Sequence, residues 1–102
     1  MSSEITKTQK QGECRLCIGE KFDHSVHKEL RESYVGVRTP DMTFIVDLSQ
    51  TTCMDGAALG MLLLLREHAK KYNSVVVIDR PNSAVSKLLK VSSFDHFMQI
   101  NW

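Results

Sequence analysis

Apolar and polar positions change rhythm several times along this chain, and each change marks an element. Glu13 to Gly19 alternates, with Cys14, Leu16 and Ile18 on one side, the period-two signature of a half-buried strand. Ahead of it, Glu4 to Gln9 alternates only weakly around Ile5, which suits a short edge strand or a frayed arm, with Gln11-Gly12 as the turn. The pattern breaks over Glu20 to Ser25. From Val26 to Val35 the period becomes helical: Val26, Leu30 and Tyr34 share a face, Ser25 can cap the start and Gly36 can end it. Thr39-Pro40-Asp41 is a turn by composition, and Pro40 bars a central strand there.

The second half is more apolar. Thr43 to Leu48 and Ser74 to Asp79 are rich in branched residues and read as strands buried on both faces. Between them, Gly56 to about Tyr72 is the most apolar helix of the chain, closed by Asn73. Leu59, Leu62, Leu63, Arg66 and Ala69 or Lys70 trace one side of it, but Met61, Leu64 and Leu65 fill much of the rest. That width exceeds an ordinary core-facing stripe. Either two layers cover this helix, or part of it is exposed as a docking surface. Arg80-Pro81-Asn82-Ser83 supplies a turn and a cap, from Asn82 or Ser83. Ala84 to Val91 is a short helix with Val85, Leu88 and Leu89 inward. Phe94 to Ile100 closes the chain as a short strand or as irregular structure. Two β-helix-β connections after an opening strand pair predict a small α/β sandwich, a mixed, mostly parallel sheet with helices packed on it. The 102 residues support a single domain, residues 1–102.

Composition narrows the function classes. A formal net charge of +1, with Lys70-Lys71 the only adjacent basic pair, argues against nucleic acid or an anionic membrane as partner. The longest apolar run, Ala57 to Leu65 with Gly60 inside it, is about half of a membrane span, so no membrane insertion is expected. Met1-Ser2-Ser3-Glu4 lacks the pattern of a secretory signal, and a cytoplasmic protein is the expectation. Three cysteines, an odd number, fit a reducing compartment better than a disulfide framework. Cys14 and Cys17 form a C-x-x-C, but residues three apart on a strand point to opposite faces, and no second ligand pair completes a tetrahedral metal site.

Candidate chemistry concentrates where the central strand meets the apolar helix, at Thr51-Thr52-Cys53-Met54-Asp55-Gly56-Ala57-Ala58-Leu59-Gly60. Asp55 stands where an N-cap belongs, and small residues behind it let other atoms approach a positively polarised helix end. Such a junction suits an anion or a partner protein, unless Asp55 simply caps a buried helix. Asp23, Asp47, Asp55 and Asp79 sit at strand ends, where aspartates commonly satisfy backbone groups. No Lys-Ser/Thr ending completes a phosphate loop after Gly60. His24 and His27 lack further convergent ligands and read as surface residues, and nothing surrounds His68 or His96 as a motif. An enzyme, a cofactor and a metal site are all unsupported.

Four segments together resemble the STAS family of bacterial anti-sigma factor antagonists, over essentially the whole length. Phe22-Asp23 is similar to that family's G-x-[FL]-D segment, and Phe44-Ile45-Val46-Asp47-Leu48 to its central strand. Cys53 to Arg66 resembles its phosphorylation loop and following helix, usually D-S-[ST]-[GA]-L-G. Asn82 to Leu89 resembles its penultimate helix, and Phe94 to Ile100 its closing segment. The helix start A-L-G-M-L-L-L-L-R is similar to single-domain regulators of proteobacterial partner-switching systems. The resemblance implies a protein that binds an anti-sigma factor or a serine kinase when unphosphorylated, with a phosphatase restoring binding after phosphorylation of a loop serine. It places partner contacts at Asp23, Met54, Asp55, Gly56, Ala57, Ala58, Leu59 and Met61.

The chain departs from that pattern at its centre. The serine position after Asp55 is Gly56 and the next hydroxyl position is Ala57, neither able to take a phosphoryl group. The implied protein is not switched off at the usual site and stays competent to bind. Thr51 and Thr52 precede the helix end and are poor substitutes. Gly56 could instead serve the backbone conformation. Two further readings stand beside the antagonist: a STAS subunit of an ABC-type transporter, and a small-ligand or nucleotide sensor using the same helix end.

Overall fold

The computed structural model describes residues 5–102. The readings made on Met1 to Glu4 lie outside the described residues. Strand β1 (Ile5–Lys10) turns at Gly12 into antiparallel β2 (Glu13–Ile18), Gly12 taking the left-handed backbone that the tight turn requires. A two-residue strand β3 (Lys21–Phe22) and a 3-10 turn (His24–Val26) lead into helix α1 (His27–Tyr34). Then follow β4 (Thr43–Asp47), a two-residue β5 (Cys53–Met54), α2 (Gly56–Lys71), β6 (Val75–Asp79), α3 (Ser83–Val91), a 3-10 turn at Phe94–His96, and β7 (Gln99–Asn101).

The main sheet has the order β1-β2-β4-β6-β7, antiparallel at β1/β2 and parallel elsewhere. The mixed, mostly parallel sheet with packed helices is therefore the observed fold. It contains three parallel crossovers, not two: α1 carries the chain from β2 to β4 as α2 carries it from β4 to β6 and α3 from β6 to β7. The Pro40 turn and the shortness of α1 hide the first of these in the sequence.

One apolar cluster holds the layers together. The register aligns Cys14 with Phe44 and Val76, and Leu16 with Val46 and Ile78, so these side chains share one face. Against that face α1 places Leu30 and Tyr34, α2 places Ala58, Met61, Leu62, Leu65 and Ala69, and α3 places Val85 and Leu89. Burying such side chains is worth about 1.5–3 kcal/mol each.

The opposite face of the sheet is only partly covered, which limits the reading of β4 and β6 as strands buried on both sides to the centre of β6, where Val76, Val77 and Ile78 are all buried. Thr43 and Ile45 are only half-buried, and Val75 is 58% exposed. In place of a second layer, the far end of this face carries ions. Arg15 donates to Asp47 at 2.8 Å and to Asp79 at 3.3 Å, and Arg80 donates to Asp47 at 2.7 Å. Burial alone would raise the Asp47 carboxyl. Hydrogen bonds from Ser49 and the neighbouring Arg80 outweigh it and hold the group at about 2.

Candidate functional site

The turn that carries Asp55 is fixed from three directions. Thr51 is fully buried, and its hydroxyl donates to the Gly19 carbonyl at 2.9 Å. The amides of Thr52 and Cys53 donate to the Glu20 carbonyl at 2.9 and 3.1 Å. Asn82 caps α3 by accepting from the Val85 amide at 2.8 Å, and its own amide donates to the Thr51 carbonyl at 2.7 Å. Asn82 is thus the cap of α3, Ser83 being its first residue, and it also joins that helix to the Asp55 loop. Thr51 is closed to any modifying enzyme by burial, whereas Thr52 is exposed.

β3 and β5 form a small parallel sheet in which Phe22 pairs with Met54. Asp23 and Asp55 each follow by one residue, with nearly the same extended backbone (φ −139° and −127°). Asp55 accepts from the amides of Ala57 and Ala58 at 3.0 and 3.3 Å, and is the N-cap of α2. Asp23 does the same for the 3-10 turn, accepting from the Ser25 amide at 2.9 Å. The first helical segment is therefore capped by Asp23 and not by Ser25, whose hydroxyl and amide both donate to it. These bonds lower the Asp23 carboxyl below its ordinary value. Sequence reading missed the pairing of β3 with β5, because two-residue strands carry no periodicity; the parallel Phe-Asp and Met-Asp dipeptides were the available signal.

The eight partner-contact candidates divide by burial. Asp55, Gly56 and Ala57 are exposed; Asp23, Met54 and Leu59 are half-buried. Ala58 and Met61 are core positions, at 0% and 5% exposure, because the first turns of α2 press that side onto the sheet. Cys53 joins the exposed surface as a free thiol. Gly56 does not serve the backbone: its φ is not positive, and a Cβ built on it meets nothing within 4 Å. A Cβ on Gly60, one turn on and also exposed, likewise meets nothing. The exposed ridge at the start of α2 is thus almost bare backbone, beside two carboxylates already committed to capping.

Other chemistry is absent from this corner or spent elsewhere. Among the described residues, no three His, Cys, Asp or Glu side chains converge as metal ligands, and no helix is long and apolar enough to cross a membrane. Cys14 and Cys17 point to opposite sides of β2, and burial raises both thiols. His68 packs among Tyr34, Phe44 and Tyr72 and donates to the Val37 carbonyl at 2.9 Å, a structural role.

Known proteins resemble the chain along nearly all of it. The family model described as "Mlab, STAS domain" matches residues 5–100. A STAS-domain containing protein of Pseudomonas aeruginosa (strain UCBPP-PA14) is 35% identical over 89 residues, 87% of this chain and 88% of that protein. Among solved structures, the anti-sigma factor antagonist SpoIIAA in its unphosphorylated form superposes with a TM-score of 0.77 at 15% identity, covering 96% of this chain and 88% of that one. A sulfate transporter family protein from Wolinella succinogenes gives 0.78 at 14% identity, covering 92% and 80%. At such identities the two structures share a fold with this chain.

Proposed function

The chain belongs to the STAS domain family, and from that premise we propose that it is a partner-switching regulator of the anti-sigma factor antagonist kind. It binds an anti-sigma factor or a switch serine kinase and catalyses nothing. The contact surface is the corner where β3 and β5 deliver Asp23 and Asp55, completed by Met54, Gly56, Ala57 and Leu59. The observation that carries this reading is the exposed start of α2. Gly56 and Ala57 lie there with no side chain beyond a methyl, on a fixed turn, so a partner can approach the helix backbone closely.

Regulation by phosphate at this corner is missing in this chain. A phosphoserine at position 56 would add about two negative charges next to Asp55, which repels acidic partner groups and carries a desolvation cost in a close interface. Gly56 removes that possibility, and the protein remains competent to bind. The likeness to a sulfate transporter family protein supports a second reading, in which the same corner docks on the ATPase of a transporter.

Calorimetric titration of the full chain against the purified anti-sigma factors and switch kinases of its own organism tests the proposal. At least one should bind, and Gly56→Glu should weaken it tenfold or more. Binding of a transporter ATPase in place of all of them would move the chain to the second reading. Affinity unchanged by Gly56→Glu would remove the surface from consideration.

A further inference from the structure

The breadth of the apolar surface on α2 is only partly used by the core. Leu62 and Leu65 are fully buried, but Leu64 is 53% exposed. Across from it at the C-terminal cap of α1, Val35 is 40% exposed. Between the two helices lies a groove of about 330 Å³ whose apolar flanks are Leu64, Val35 and Tyr34. Leu64 is nine residues past Asp55, about 13 Å along the helix axis, so this groove is separate from the corner at the start of α2.

Its charge is one-sided. Arg31 and Lys71 line the groove, and among the described residues neither forms an ion pair. The one acidic side chain of the lining, Glu67, lies 3.9 Å from both Arg66 and Lys70 and is compensated by them. An apolar trough with an uncompensated cationic rim suits a partner of opposite pattern.

We propose that the α1–α2 groove docks an acidic amphipathic helix of a partner protein. Apolar side chains of that helix at i, i+3 or i+4, and i+7 would lie between Leu64 and Val35, and flanking carboxylates would meet Arg31 and Lys71. A second copy of this chain is a poorer occupant, because none of its helices presents an acidic face. α3 carries Lys87 and Lys90 without an acid, α2 carries Arg66, Lys70 and Lys71 against Glu67, and α1 mixes both signs. This surface is independent of the corner assigned above, and either assignment can fail without the other.

The probe is a synthetic amphipathic peptide with leucines at helical spacing and glutamates beside them, paired with a version carrying lysines in place of the glutamates. Each is titrated into the full isotope-labelled chain while amide resonances are followed. The acidic peptide should bind saturably and shift residues 27–35 and 64–71, with Gly56 and Ala57 unmoved. The double variant Arg31→Glu/Lys71→Glu, exposed at both positions, should bind the acidic peptide at least tenfold more weakly and prefer the basic one. Leu64→Asp should abolish binding while the melting temperature stays near that of the parent. Equal binding of both peptides, no saturable binding, or shifts confined to Asp55–Leu59 would each overturn the proposal. So would concentration-dependent dimerisation that Leu64→Asp removes, since it would give the groove to a second copy.

Discussion

Asp23 and Asp55 occupy matching positions, each one residue beyond the register pair Phe22–Met54, and each caps the helical turn that follows. The register brings the two aspartates to the same end of the small sheet, where each accepts amide protons from the segment that follows it. The arrangement makes the corner rigid and leaves its outward edge to Gly56 and Ala57.

Removing the Asp55 cap should cost stability through the helix. Asp55→Ala removes the acceptor of the Ala57 amide and leaves the Ala58 amide only the Asp55 backbone carbonyl, and it should destabilise the protein by about 1 kcal/mol, read by urea unfolding. Asp55→Asn should recover most of that loss, since asparagine caps nearly as well. If Asn is as damaging as Ala, charge and not capping is what the position supplies.

Position 56 should accept serine. The open space around Gly56 predicts that Gly56→Ser folds normally and gains a few tenths of a kcal/mol in the first turn of α2. Intact mass after treatment with the cognate kinase should show no phosphate on the parent chain and one on the variant. A phosphate on the parent would point to another hydroxyl, with Thr52 the exposed one nearby.

Gly60 separates folding from binding. Alanine there meets no neighbour and should stabilise α2 by roughly 1 kcal/mol, seen as a higher melting temperature. If the bare ridge is what a partner packs against, the same methyl should weaken partner binding severalfold. Higher stability with unchanged binding would place the interface away from Gly60.

The ions on the partly covered sheet face predict an acid limb. Asp47 titrates at about 2 when folded and near 3.9 when unfolded, so the folded state binds fewer protons between those values. Its contribution, about 2 kcal/mol, is present above about pH 4 and is lost as the pH falls toward about 2. Asp47→Asn should lower stability at neutral pH and flatten that decline. Unfolding free energies measured between pH 2 and 7 check it; parallel curves would exclude Asp47 as the source.

The strands and helices were legible because their periods are clean: Cys14, Leu16 and Ile18 for β2, Val26, Leu30 and Tyr34 for α1. What escaped depended on partners distant in sequence. The exposure of Val75 follows from the lack of a covering layer, which no property of a valine run announces. The cap at Asp23 was missed because Ser25 is an equally good capping residue by type, and only the extended backbone at Asp23 selects between them. At the candidate corner, Asp55, Gly56 and Ala57 were readable from residue type and order. The inward turn of Ala58 and Met61 was not, since a helix apolar on most sides does not declare which stripe faces the sheet. Asn82 could be read as a cap, but its grip on the Thr51 carbonyl spans 31 residues.

That grip has a kinetic consequence. With Thr51 locked to Gly19, Thr52 and Cys53 to Glu20, and Asn82 bracing the turn, the loop has little rearranging left to do when a partner arrives. Association should then proceed at an ordinary docking rate, and differences in affinity between partners or variants should appear as differences in residence time. Under the proposed function, a chain with no hydroxyl at position 56 to hasten release leaves the lifetime of the complex to the partner.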